Sequence, residues 1–195
     1  MRAARLCTML VALAMAAALT VVPTSTANPG GNRDRRPGGD TGSSAVLATK
    51  VLGKSARGRP IRAYHLGHPG EQNDASVPTV VLISTMHGNE SATRQLLAAL
   101  RDGPSIHLVD LWVVPVYNPD GLAAGTRRNA RGVDLNRNYP YQWVDLDGNY
   151  ESGARPASEP ETRAMMRFLR QVRPDWILSF HQPLRGVDTD SKDPA

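Results

Sequence analysis

The chain has 195 residues, a formal net charge of +5 and 41% hydrophobic residues, which fits one globular domain. Its single cysteine, Cys7, leaves no disulfide framework and no thiolate metal site or nucleophile. The charge is too modest to argue for a nucleic-acid surface.

Residues 1–27 read as a secretory signal peptide: Arg2 and Arg5, an apolar run from Met9 to Val22, then Ser25-Thr26-Ala27 at the cleavage point. The run is too short for a membrane span, and Cys7 is misplaced for a lipid anchor, so a secreted protein without membrane anchor is expected. Cleavage removes two Arg and takes the charge from +5 to +3. Residues 28–44 are rich in Gly, Pro and charge and read as a flexible linker. The ordered part is expected to be residues 45–195.

Residues 46–52 and 61–66 read as a β-hairpin around the turn residues 53–59, followed by a loop at 74–77. Thr79 to Ile83 is a near-continuous apolar run, as in a strand buried on both faces. Residues 90–101 switch to helical spacing, with Ala92, Leu96, Leu97 and Leu100 on one side and Gly103-Pro104 as the stop. Residues 108–117 are β-rich, with Pro115 at the end or at a bulge. Residues 118–143 form a long Gly- and Asn-rich loop, and such loops are usually functional. Ser158-Glu159-Pro160-Glu161 has the spacing of a capping box opening a helix with Met165, Phe168, Leu169 and Val172 on its apolar face. Residues 176–180 give a last buried strand. The alternation predicts an α/β domain with a mixed, mostly parallel sheet flanked by helices.

His87-Gly88-Asn89-Glu90 and His181 each follow an apolar strand directly. In α/β sheets, ligands bind beyond the carboxyl ends of the strands. Two His and one Glu delivered there make a three-ligand zinc site with an open position, the catalytic rather than the structural type. His65, His68 and His107 lack an acidic neighbour at ligand spacing and read as structural or solvated. The loop adds Asp134, Asn136 and Arg137, with Arg127, Arg128 and Arg131 upstream. An Asn-Arg pair suits a carboxylate, because the guanidinium can donate two parallel hydrogen bonds.

His87-Gly88-Asn89-Glu90, Asn118-Pro119-Asp120-Gly121, Arg127-Arg128-Asn129, Gly132 to Asn138, Ser158 to Glu161 and Ser179-Phe180-His181 occur in the order found in zinc carboxypeptidases of the carboxypeptidase A type. The loop most resembles the bacterial branch that includes murein peptide amidases. The resemblance implies one zinc ion on His87, Glu90 and His181. It implies that Asn136 and Arg137 hold the terminal carboxylate, with a peptide or cell-wall peptide as partner. Arg127 matches the arginine that polarises the scissile carbonyl, with Arg128 a rival, and Asp134 matches the acid that orients the first zinc histidine. Glu159 and Glu161 are expected to be cap residues without catalytic role.

In that family a general-base Glu, a Tyr on a flexible loop and the specificity pocket follow the third ligand. Residues 182–195 hold no Glu, only acids such as Asp188 and Asp190, expected to be solvated. The chain is therefore expected to be a carboxy-terminally truncated enzyme domain with an incomplete sheet and no turnover as a 195-residue chain. Three readings follow: a secreted metallocarboxypeptidase, a peptidoglycan peptide amidase, or a non-catalytic zinc- or peptide-binding remnant.

Overall fold

A computed structural model of the chain describes residues 45–67 and 77–182. The signal peptide, the linker, His68, residues 74–76 of the predicted loop, Asp188 and Asp190 lie outside the described residues.

Five strands and three α-helices follow one another among the described residues: β1 (Val46–Lys54), β2 (Pro60–Leu66), β3 (Thr79–Ile83), α1 (Thr93–Arg101), β4 (Asp110–Val114), α2 (Pro119–Ala124), α3 (Pro160–Val172) and β5 (Trp176–Ser179). The sheet order is β1-β2-β4-β3-β5. β1 with β2 and β2 with β4 are antiparallel, and β3 runs parallel to both β4 and β5. This is the mixed sheet the alternation predicts.

Side chains alternate across the pleat, and each face carries one core. Ile61, Ala63, Val81, Ile83 and Val114 meet Met165 and Phe168 of α3. Leu66, Leu111 and Val113 meet Leu97 of α1, with Leu100 and Phe180 at the margin. Burial of a side chain such as Phe168 contributes about 1.5–3 kcal/mol.

Three expectations need correction. Helix α1 begins at Thr93, not Glu90; Ala92 caps it without a side-chain bond, and Leu96 is exposed, so only Leu97 and Leu100 face the sheet. The capping box does not form, because Glu159 rather than Ser158 occupies the N-cap and Pro160 takes the first helical position. Strand β5 is not buried: Trp176, Ile177 and Leu178 are 66%, 51% and 47% exposed. It is an edge strand, with β3 on one side and no further strand among the described residues.

The long loop also contains a short helix. Asn118 caps α2 through its side-chain oxygen, Pro119 occupies the first turn, and Gly125 closes the helix in the left-handed conformation.

Candidate metal centre

Strands β3 and β5 are parallel neighbours with Ile83 opposite Ser179, so their carboxyl ends open on the same edge. The chain continues from β3 through Ser84, Thr85 and Met86 to His87, and from β5 through Phe180 to His181. The turn after β3 is pinned to the end of β4: Ser84 N–H donates to the Val114 carbonyl, and Tyr117 N–H donates back to Ser84. Thr85 has φ 56°, and its hydroxyl donates to the Pro115 carbonyl at 3.1 Å. Gly88 is required by close approach, since a Cβ there would lie 1.9 Å from the Gly121 carbonyl carbon. Asn118 locks the two segments together by donating from Nδ2 to the Met86 carbonyl.

This scaffold brings three of the predicted residues to one point. His87 Nδ1 lies 2.8 Å from Glu90 Oε1, His181 Nδ1 lies 2.9 Å from Glu90 Oε2, and the two Nδ1 atoms are 3.2 Å apart. His87 and Glu90 are buried and His181 is partly buried. Zinc bonds of about 2.0–2.1 Å in a tetrahedron require ligand atoms roughly 3.3 Å apart, with His and carboxylate as ordinary donors. Their spacing fits a single ion with small adjustments.

The opposite ring edges orient the donors. His87 Nε2 lies 3.0 Å from Asp134 Oδ1. Burial raises the carboxyl of Asp134, but the bonds from His87 and Arg127 outweigh it and hold the group below its usual range. Asp134 is thus a carboxylate, and His87 donates to it from Nε2, leaving the Nδ1 lone pair free for a metal. His181 Nε2 approaches Ser179 Oγ at 3.1 Å, a partner that sequence reasoning missed.

Arg127 and Asp134 adjoin this cluster. Arg127 donates to Asp134 Oδ2 from Nε and Nη2 at 3.0 and 2.8 Å, while its Nη1 is 3.8 Å from Glu90 Oε1. Arg128 points elsewhere, donating to the Gly148 carbonyl at 2.8 Å. Asn136 and Arg137 lie in a 3-10 turn, Leu135–Arg137, capped by Asp134. Both are exposed, and neither has an anionic partner among the described residues. His65, by contrast, pairs with Asp110 at 2.5 Å and stacks on Trp112. His107 is exposed and away from the ligand cluster.

The loop between Arg127 and Asp134 rests on a buried polar node that sequence reasoning read as helix caps. Asn129 accepts from the N–H groups of Arg131 and Val133, and its amide donates to Glu159 at 2.8 Å and to Glu161 at 3.2 Å. Glu161 also accepts from Ala56 N–H at 2.9 Å. Burial raises the Glu161 carboxyl despite these bonds.

The profile of the zinc carboxypeptidase family matches residues 41–183. Murein peptide amidase A of Escherichia coli K12 is 35% identical over 156 residues, covering 72% of this chain and 61% of that protein. Metallocarboxypeptidase A of Trichophyton tonsurans is 36% identical over 171 residues, covering 71% and 39%. Among solved structures, murein-tripeptide amidase of E. coli O157 superposes with TM-score 0.57 at 35% identity, covering 76% of this chain and 66% of that one. Carboxypeptidase A of Helicoverpa armigera gives 0.59 at 27% identity, covering 70% and 41%. The chain thus spans about 61% of the length of the E. coli relative.

Proposed function

The chain belongs to the zinc carboxypeptidase family, and from that premise we propose that it contributes the zinc and carboxylate sites of an exported peptidase that cleaves an amide bond beside a free carboxylate. The observation that carries this reading is the convergence of His87 Nδ1, Glu90 and His181 Nδ1 at the open end of β3 and β5.

His87, Glu90 and His181 would hold the zinc, which when bound supplies Lewis acidity and a water of near-neutral pKa. Asp134 keeps the His87 proton on Nε2. Asp134 also fixes one edge of the Arg127 guanidinium, leaving Nη1 as the donor for charge developing on the substrate carbonyl oxygen. Asn136 and Arg137 bind the substrate carboxylate. Asp134 is fully engaged, and Glu151, Glu159 and Glu161 accept hydrogen bonds elsewhere, so the reading gives none of these four the role of general base.

The test measures zinc stoichiometry and hydrolysis together. One zinc per chain is expected for the wild type, with loss in His87→Ala and His181→Ala. Zinc bound equally by both variants would refute the site. A cell-wall substrate is favoured by coverage: at nearly equal identity, the match spans 61% of the murein peptide amidase but 39% of the metallocarboxypeptidase. Faster cleavage of wall tripeptide than of peptides with free carboxyl termini would decide for it. Export is tested by the amino terminus of the mature protein, expected at Asn28.

A further inference from the structure

Arg137 is the charged half of the proposed carboxylate site, and almost nothing polar holds its side chain. Its one side-chain hydrogen bond among the described residues is to the neighbouring Asn136 carbonyl, at 3.3 Å. A long side chain so placed would spread over many rotamers, and binding would have to order it. What lies against it is an aromatic ring: the Arg137 guanidinium carbon is 5.6 Å from the centroid of Tyr150. The guanidinium carbon of Arg127 lies 5.3 Å from the same centroid.

Two cations on one ring is a specific arrangement. Like charges repel, and Asp134 neutralises only Arg127. The negative face of the phenol ring attracts both guanidiniums. Tyr150 ends a 3-10 turn, Gly148–Tyr150, that is tied to the site loop on both sides. Arg128 donates to the Gly148 carbonyl, and Asp134 N–H donates to the Glu151 carbonyl, both at 2.8 Å. The ring is thus held by its backbone while remaining 52% exposed, so it can meet a ligand as well as the two arginines.

We propose that Tyr150 is a positioning residue of the substrate site, whose ring preorganises Arg137 for the terminal carboxylate and Arg127 for the adjacent carbonyl. The ring face does this work, and the hydroxyl does not. The inference rests on the reading of Asn136 and Arg137 as the carboxylate site. It adds a residue that selects for ligands presenting a carboxylate next to an amide.

The test is a chemical-shift titration of the zinc-loaded protein with N-acetyl-alanine, and with N-acetyl-alaninamide as the uncharged control. The wild type is expected to saturate with the acid and to bind the amide at least tenfold more weakly. Tyr150→Phe keeps the ring and is expected to match the wild type within twofold. Tyr150→Leu is expected to bind the acid about tenfold more weakly, equivalent to about 1.4 kcal/mol, with a smaller loss for the amide, which keeps only the carbonyl contact to Arg127, and a thermal midpoint close to wild type. A Tyr150→Leu protein that binds the acid as the wild type does would overturn this inference and leave the carboxylate site standing. So would weakening in Tyr150→Phe equal to that in Tyr150→Leu, since it would place the effect in the hydroxyl. A wild type that fails to distinguish acid from amide would overturn the carboxylate site itself, and the role of Tyr150 with it.

Discussion

Asp134→Asn is the substitution that tests most directly how the metal centre is held. The carboxylate is fully buried. Its Oδ1 accepts from His87 Nε2 and Asn136 N–H, and its Oδ2 accepts twice from Arg127. An amide of the same shape has only one acceptor oxygen. Turned to keep His87 and Asn136, it presents an NH2 group to the Arg127 donors. Turned the other way, it faces the His87 ring with a donor and favours the tautomer that places the proton on Nδ1, where the metal lone pair is needed. Arg127 is 30% exposed and can swing towards water, so the first orientation wins. Charge-assisted hydrogen bonds contribute about 1.5–3 kcal/mol, and water screening reduces the share of the Arg127 pair. The apo protein should lose about 2 kcal/mol of stability. Without the carboxylate, the His87 lone pair is less basic, and zinc affinity should fall about 10–100-fold. Competition with a chromophoric chelator measures the second quantity, and denaturant unfolding of the zinc-free protein measures the first. Arg127→Gln leaves the Asp134–His87 contact in place and should change zinc affinity by no more than about threefold, within the range of a partly exposed ion pair. Zinc affinity of Asp134→Asn within twofold of wild type would refute the argument that Asp134 orients His87.

Other elements give independent predictions. Gly88→Ala puts a methyl 1.9 Å from the Gly121 backbone, and backbone cannot yield as a side chain does. A loss of about 3 kcal/mol is expected, read as a thermal midpoint about 6–12 °C lower, and a change below about 2 °C would show that the turn can relax. Asp120 is buried and accepts from Arg57 N–H at 2.9 Å and from Arg59 at 2.5 Å. Burial raises its carboxyl, yet the Arg57 N–H and the Arg59 and Ser55 groups bring it below the usual value of 3.8. Its contribution is therefore present above pH 3.8 and lost as pH falls through the lower folded value. Asp120→Asn should cost about 1.5 kcal/mol at pH 7 and converge with wild type in acid, and an unchanged gap at both ends would contradict this. Tyr117 and Tyr139 share a hydroxyl contact at 2.9 Å. Burial pushes Tyr117 far up, helped by Tyr139, and pushes Tyr139 up to about 12 against the Tyr117 bond. Folding thus prefers both phenols neutral: their contribution is complete below pH 10 and falls as pH rises above it. Replacing both with Phe should flatten the loss of thermal stability between pH 9.5 and 11, and an equally steep loss would exclude them as its source.

The clustering of His87, Glu90 and His181 was legible because its signals are local and short. His87 and Glu90 are three residues apart, and two parallel apolar strands each end just before a histidine. Once β3 and β5 are neighbours, both histidines leave the sheet at the same edge, and the turn pinned by Thr85, Gly88 and Asn118 brings His87 to His181. The exposure of β5 was not legible, because an edge strand and a central strand can carry the same Trp-Ile-Leu run. What distinguishes them is whether another strand pairs on the far side, which depends on sheet order rather than composition. Helix α2 was hidden for a different reason. Asn-Pro-Asp-Gly is turn chemistry as much as helix-capping chemistry, and six residues are too few for a helical period to show.

The buried polar residues explain the remaining misses. Ser158 and Glu161 have capping-box spacing, but a cap satisfies only donors of its own helix. Here Glu161 instead serves Ala56 N–H on the β1–β2 hairpin and the Asn129 amide of the site loop, while Glu159 takes the other Asn129 contact. Those partners are 30 to 105 residues away, so no local pattern could announce them. A burial cost favours such long-range pairing: an acid in the interior must find donors, and these two draw on other segments as well as on Ser158, whose hydroxyl donates to Glu159 at 2.9 Å. The same residues set the shape of the turn that carries Arg127 at one end and Asp134 at the other. Helix α3 therefore does more than cover the sheet. Through Glu159, Glu161 and Asn129 it fixes the loop on which the orientation of His87 depends, which is why two acids that read as cap residues belong to the support of the metal site.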